Sequence, residues 1–197
     1  MTSATADTFG REEILAIFRE SGALLAGHFR LSSGLHSDEY LQCARVLQHP
    51  AHAEALGRAL ADRLRPLRAG VILSPALGGL IIGHEVARAL GVRAIFAERQ
   101  DGALTLRRGF SLGPGERVVV IEDVVTTGGS TRETMAVAVA AGAEVVGAGA
   151  IIDRSGGHPN LRTPFECLVT LMAATYPPET CPLCAEGKPV VKPGSRT

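Results

Sequence analysis

Two adjacent carboxylates, Glu122 and Asp123, stand between an apolar run, Val118-Val119-Val120-Ile121, and a turn rich in hydroxyls and glycine. That turn runs Val124-Val125-Thr126-Thr127-Gly128-Gly129-Ser130-Thr131. An ionised carboxylate only accepts hydrogen bonds, so the pair suits sugar hydroxyls or a developing positive charge. The turn suits the opposite partner. Glycines allow close backbone approach, hydroxyls donate, and a helix start offers free N–H groups and a positive dipole end to an anion. Acids beside an anion cradle make sense when one ligand carries both a phosphate and vicinal hydroxyls, as a ribose 5-phosphate unit does. The segment has neither the lysine of a nucleotide-triphosphate P-loop nor a G-x-G-x-x-G fingerprint.

The elements that must position these groups follow from periodicity. The β-branched run predicts a strand buried on both faces of a parallel sheet, and Arg132 to Ala141 predicts the helix after it. An earlier step repeats the logic: Val71-Ile72-Leu73 as a strand, the turn Ser74-Pro75-Ala76-Leu77-Gly78-Gly79, a helix from Leu80 to Leu90, and a strand from Arg93 to Ala97. Glu144 to Ile152 and Pro164 to Ala174 supply further strands. Towards the N-terminus, residues 1 to 9 read as frayed, and Arg11 to Ser21 as a helix with an Ile14, Leu15, Ile17, Phe18 stripe. Ala23 to Leu25, His28 to Leu31 and Ser37 to Cys43 read as short extended pieces, and Pro50 to Leu64 as a helix. Strands alternating with helices predict an α/β fold, a central mostly parallel twisted sheet flanked by helices. The division is a single domain with a core at about 46–154 and a small hood lobe from about 1–45 plus about 155–197. Ligands in such sheets sit beyond the carboxyl ends of the strands. That rule gathers the loops after residues 73, 97, 121 and 152.

The 197 residues suffice for one substantial core, and 46% hydrophobic content excludes a disordered chain. A formal net charge of zero gives no electrostatic drive towards nucleic acid or an anionic membrane. No apolar run approaches membrane-spanning length and no secretory h-region opens the chain. A soluble, cytoplasmic protein is the expectation, with small molecules rather than nucleic acid or membrane as partners.

The connection from Glu98 to Glu116 carries Arg99, Arg107 and Arg108 and alternates around Ala103-Leu104-Thr105-Leu106, so part of it folds as a hairpin. A long connection in a compact domain is more often functional than idle, and its arginines suit a leaving polyphosphate. Arg154, after the strand ending at Ile152, suits a carboxylate or an ion pair with Asp153 or Glu144. Cys181-Pro182-Leu183-Cys184 is a lone C-x-x-C, and it reads as a tail turn without metal. Cys43 or Cys167 would complete a ligand set only if the fold brought them close. The histidines, including His28, His36, His84 and His158, show no ligand spacing.

The stretch Val118 to Thr131 resembles the phosphoribosyl-pyrophosphate (PRPP) signature of type I phosphoribosyltransferases. The run Phe29-Arg30-Leu31-Ser32-Ser33-Gly34-Leu35-His36-Ser37 resembles the F-x-L-x-S-G-x-x-S segment of the orotate-specific members. The likeness covers about residues 12 to 175. It implies transfer of ribose 5-phosphate from PRPP to N1 of orotate, in a homodimer, with Mg²⁺ held mainly by PRPP and water rather than by protein ligands. It implies that Glu122, Asp123 and Arg99 act in catalysis. PRPP would be bound by Glu122, Asp123, Val124, Val125, Thr126, Thr127, Gly128, Gly129, Ser130, Ala76, Gly78, Gly79, Arg99 and Arg108, and orotate by Thr126, Arg154, Ser33 and Gly34. The family's mobile loop usually carries lysine and histidine, whereas residues 98–116 here carry arginine alone as their cation. A purine-base transferase and a non-catalytic PRPP sensor are the alternatives.

Overall fold

The computed structural model describes residues 10–31, 34–172 and 174–192. Residues 1–9, read above as frayed, lie outside that set. α1 (Arg11–Glu20) buries Ile14, Leu15 and Phe18 and carries Glu12 and Glu13 in its first turn, where the dipole favours acids. β1 (Leu24–Arg30) and β2 (His36–Leu41) form an antiparallel hairpin with a bulge between Ala26 and Phe29. The two extended pieces read before residue 32 are therefore one bulged strand. β2 covers most of the segment read as extended from Ser37 to Cys43, and α2 (Cys43–Leu47) begins at its last residue. α3 (Pro50–Leu64) starts on a proline, whose missing N–H would have no partner in a first turn.

The βα steps follow: β3 (Val71–Pro75), α4 (Gly79–Leu90), β4 (Arg93–Gln100), β5 (Ala103–Leu106), β6 (Arg117–Val125), α5 (Gly129–Ala140), β7 (Glu144–Asp153) and β8 (Phe165–Thr170). The chain closes with β9 (Thr175–Tyr176) and a short α6 (Pro182–Ala185). Six strands make one sheet in the order β5-β4-β3-β6-β7-β8, parallel throughout except for the antiparallel β4–β5 hairpin. A second sheet, β1-β2-β9, joins the two ends of the chain.

The strand β6 explains why the main sheet is covered on both faces. Val119 and Ile121 join the core formed with α1, α2, α3 and α4, whereas Val118 and Val120 join Met135 and Ala138 of α5. All four are fully buried. Each such side chain contributes roughly 1.5–3 kcal/mol when removed from water, so a polar substitution here would break the fold before the site.

Three boundaries differ from the sequence reading. β6 runs through Val125, so Glu122 and Asp123 lie within the strand; pairing with β7 continues to Val125↔Asp153 and sustains it. α5 begins at Gly129 rather than Arg132, because Gly128 takes a left-handed φ of 72° and starts the helix directly. Residues 11–20 and 165–170 belong to the main body rather than the hood, since the α1 stripe packs into the large core and β8 extends the parallel sheet.

Candidate active site

The chain leaves β3 for β4 on one side and returns to β6 on the other, so the strand order switches between β3 and β6. Two turns meet there. The β3–α4 turn contains Ala76, Leu77 and Gly78, with a cis peptide between Ala76 and Leu77. The β6–α5 turn contains Thr126, Thr127 and Gly128. Their closeness has a side-chain cause. A Cβ on Gly78 would sit 2.8 Å from Asp123 Oδ1, and one on Gly79 would sit 2.7 Å from the Ile121 carbonyl oxygen. Only glycine lets the first turn lie against the acid-bearing strand. Gly128 is equally constrained, because a Cβ there would collide with the Pro159 carbonyl oxygen.

Thr126, Thr127, Gly129 and Ser130 are exposed at the start of α5, where free N–H groups and hydroxyls can meet an anion. Thr131 is buried, so its hydroxyl does not belong to this donor set. Val125 is buried as well; its carbonyl oxygen accepts the Arg154 N–H at 2.7 Å.

Glu122 is 7% exposed. Burial, and then the charge of Asp123, push its carboxyl up to about 8 from an ordinary 4.5. Burial also raises Asp123, opposed by backbone donors that include the Val124 N–H at 2.8 Å from Oδ1. Two adjacent acids with raised values inside a ligand edge form a site that gains from a cationic or hydroxyl-bearing guest. Their all-oxygen donor set fits a hard divalent ion such as Mg²⁺. Among the described residues no three-member set of His, Cys, Asp or Glu ligand atoms forms around this pair, so such an ion would draw its other ligands from substrate and water.

The arginines are engaged elsewhere. Arg99 lies inside β4, and its guanidinium pairs with Glu133 of α5 at 2.7 Å and donates to the Gly102 carbonyl. Glu133 also accepts the Leu104 N–H at 2.9 Å, so it ties the β4–β5 hairpin to α5. Arg108 makes a two-pronged contact with Glu98, both at 2.8 Å, and lies over the Phe96 ring. Both cations stay beside the carboxyl edge of the sheet, each held by an acid.

Arg154 is placed by its neighbours on β7. Asp153 is buried and accepts the Ser155 and Gly157 N–H groups, which bends the chain after the strand. Glu144 pairs with Arg117 instead. Arg154 is left half-buried towards the hood, with the Glu39 carboxylate and the Tyr40 hydroxyl of β2 as its titratable neighbours, and desolvation lowers its pKa. Leu24, Glu39, Tyr40, Leu41, Arg154 and Leu171 line a small hollow between hood and sheet. Gly34 sits in the β1–β2 turn with φ of 87°, and Ser33 lies outside the described residues. Tyr40, Glu39 and Glu133 carry no sequence signal for these roles, because their partners are brought together only by the sheet.

Site and fold together define a phosphoribosyl-binding α/β protein. Residues 42–170 match the phosphoribosyl transferase domain family, and the chain belongs to that family. Over 94% of this chain and 98% of the relative's, it is 56% identical to a protein named orotate phosphoribosyltransferase from Pelotomaculum thermopropionicum. Over 94% of this chain and 97% of the relative's, it is 53% identical to one of the same name from Desulforamulus reducens. Among solved structures, the orotate phosphoribosyltransferase from Aeropyrum pernix aligns with a TM-score of 0.68 and 25% identity, covering 80% of this chain and 93% of the other.

Proposed function

We propose that the chain transfers ribose 5-phosphate from PRPP to N1 of orotate, releasing pyrophosphate and forming orotidine 5′-phosphate, a step of pyrimidine nucleotide synthesis. The observation that carries the choice of base is Arg154. It is a half-buried guanidinium with no hydrogen-bonded carboxylate among the described residues, lining the hollow with Tyr40, whose hydroxyl feels the charge of both Arg154 and Asp123. A planar guanidinium in that setting favours a planar carboxylate ligand, and orotate supplies one. Relatives of nearly full length with that name support the same reading.

In the reaction the bond from ribose C1 to pyrophosphate oxygen breaks and the N1–C1 bond forms, so positive charge gathers on the ribose ring. The Thr126-to-Ser130 turn holds the 5-phosphate by backbone N–H groups and hydroxyls. Glu122 and Asp123 accept the ribose hydroxyls and, once ionised, favour the ring charge. Ala76, Gly78 and Gly79 bring the other turn against the pyrophosphate. Arg99 and Arg108 reach the leaving group by exchanging Glu133 and Glu98 for phosphate oxygens. Mg²⁺, when bound, neutralises pyrophosphate charge beside Glu122 and Asp123. Positioning then accounts for much of the remaining acceleration.

A homodimer belongs to this reading, with the exposed Leu77 and Ile81 beside the β3–α4 turn as apolar side chains such a contact would cover. Cytoplasmic location is supported by four free cysteines, which suit a reducing compartment. No helix among the described residues is long and apolar enough to cross a membrane.

The test is pyrophosphate release from PRPP with orotate, uracil, hypoxanthine and adenine in turn, with and without Mg²⁺. Orotate should exceed the other bases by about 10²-fold or more, because a site built for a carboxylate rejects bases that lack it. Turnover with a purine and not with orotate would overturn the assignment. Arg154→Met should raise the KM for orotate and leave that for PRPP nearly unchanged.

A further inference from the structure

The C-x-x-C motif does not stand alone in three dimensions. It lies against two histidines of the β1–β2 hairpin, and the ligand set includes neither Cys43 nor Cys167. His28 Nε2 is 2.8 Å from His36 Nδ1; Cys181 Sγ is 3.6 Å and Cys184 Sγ 3.7 Å from His28 Nε2; Cys184 Sγ is 3.3 Å from His36 Nδ1. All four donor atoms lie within 4.8 Å of one another. A tetrahedral zinc with Zn–N near 2.0–2.1 Å and Zn–S near 2.3 Å requires donors about 3.3 to 3.8 Å apart. The cluster is close to that size: the cysteine–histidine distances of 3.3 to 3.7 Å already match, and the two nitrogens need separate by about half an ångström.

We propose that His28, His36, Cys181 and Cys184 form a structural Zn²⁺ site that clips the C-terminal tail to the hood hairpin. Two imidazoles and two thiolates in a compact set select zinc among the common divalent ions. The outer contacts agree. His28 Nδ1 lies 2.8 Å from the Lys188 carbonyl oxygen, and donation there leaves the Nε2 lone pair pointing inward, as metal-binding histidines require. His28, His36 and Cys181 are 4%, 6% and 3% exposed, and Cys184 forms the rim.

The tail has little else to hold it. Among the described residues of 174–192, Cys181 alone is buried. Its backbone is nevertheless stitched to the hairpin: β9 pairs with β2, the Val191 N–H donates to the His28 carbonyl, and the Arg30 N–H donates to the Val191 carbonyl. A segment with so small an apolar core needs a metal or covalent clip, and metal binding supplies folding free energy directly. His36 opens β2, the strand that also carries Glu39 and Tyr40, so the clip would fix the hairpin at the end opposite those two residues.

The experiment is metal analysis of the full-length protein purified under reducing conditions, without chelator, from zinc-supplemented cells. It should contain close to one zinc per chain. Replacement by Co²⁺ should give the intense visible absorption of a tetrahedral thiolate site. Cys184→Ser, at the exposed rim where folding is least disturbed, and His36→Asn should each lower bound zinc to below about a tenth of wild type, whereas Cys167→Ser should retain it. Stripping zinc from the wild type should lower its Tm and expose the tail to protease, with recovery on adding zinc back; this arm stands even where a variant fails to fold. A wild-type protein that holds less than about a tenth of an equivalent of zinc and gives no tetrahedral Co²⁺ spectrum would overturn the site. So would a Cys181–Cys184 disulfide in that reduced preparation, or full zinc retention in Cys184→Ser and His36→Asn.

Discussion

The β6–α5 segment and the β4–β5 hairpin border the same carboxyl edge, yet they treat charge in opposite ways. In β6–α5 Glu122 is buried and Asp123 partly buried, neither with a cationic side chain bonded to it among the described residues, and the anion-binding groups are backbone N–H and hydroxyls. In the hairpin every proposed cation is bonded to an acid, Arg99 to Glu133 and Arg108 to Glu98. The first segment is preorganised and holds acids that burial keeps from ionising freely; the second is satisfied and must exchange partners to act. The difference teaches where binding free energy goes. Ligand relieves a penalty already present at the strand, whereas at the hairpin it must compete with an ion pair, and exposed pairs such as Arg99–Glu133 hold by about 1 kcal/mol or less.

The largest effect should come from Asp123→Asn, which keeps shape and removes charge. Turnover should fall by about 10²–10³-fold, the scale of losing one charge-stabilising contact in a transition state, while Tm holds or rises. Steady-state kinetics beside a melting curve check it; normal turnover would remove the preorganised acid from the mechanism.

Next comes the exchange step. Arg99→Ala should lower kcat/KM for PRPP by about 10–10²-fold, and Glu133→Gln, which weakens the competing pair, should change it by less than about threefold. If both variants instead lose activity equally, and the double variant loses no more, the pair is a hairpin anchor only. Gly78→Ala places a methyl against Asp123 Oδ1 and should raise the KM for PRPP by about tenfold with a smaller change in kcat.

The smallest effect concerns pH. Because the Glu122 carboxyl sits near 8 against 4.5, the folded chain keeps a proton that the unfolded chain has lost. Its contribution to stability is fully present below about 4.5 and is lost as pH rises towards 8. Glu122→Gln should flatten that slope and raise Tm at pH 8.5 by on the order of 5 °C. A ligand that favours the ionised carboxylate should bind more tightly as pH rises through the same window. Calorimetric titration of PRPP with Mg²⁺ at pH 6.5 and 8.5 checks this, and Glu122→Gln should remove the difference.

How much of the site was legible depends on how far apart its parts lie in the chain. The acid pair, the glycine turn and the helix start occupy fourteen consecutive residues, Val118 to Thr131, so local preference alone reveals them. The boundaries were less legible, because only pairing with β7 carries β6 past the acids to Val125. The buried Thr131 likewise looks like any other hydroxyl in a donor turn until α5 is docked on the sheet. The hood and body were divided too simply, because an amphipathic stripe such as that of α1 states that it will be buried but not against what.

From the sequence alone came the parallel α/β body, the phosphate turn with its acids, and the arginine at the end of β7. Each is a contiguous pattern whose backbone preference and side-chain chemistry agree. Tertiary structure alone decided that Arg99 meets Glu133, that Arg154 faces Glu39 and Tyr40, and that His28 and His36 join Cys181 and Cys184. Those partners are separated by tens to more than a hundred residues, and strand order and the path of the tail bring them within bonding distance; no local spacing encodes that.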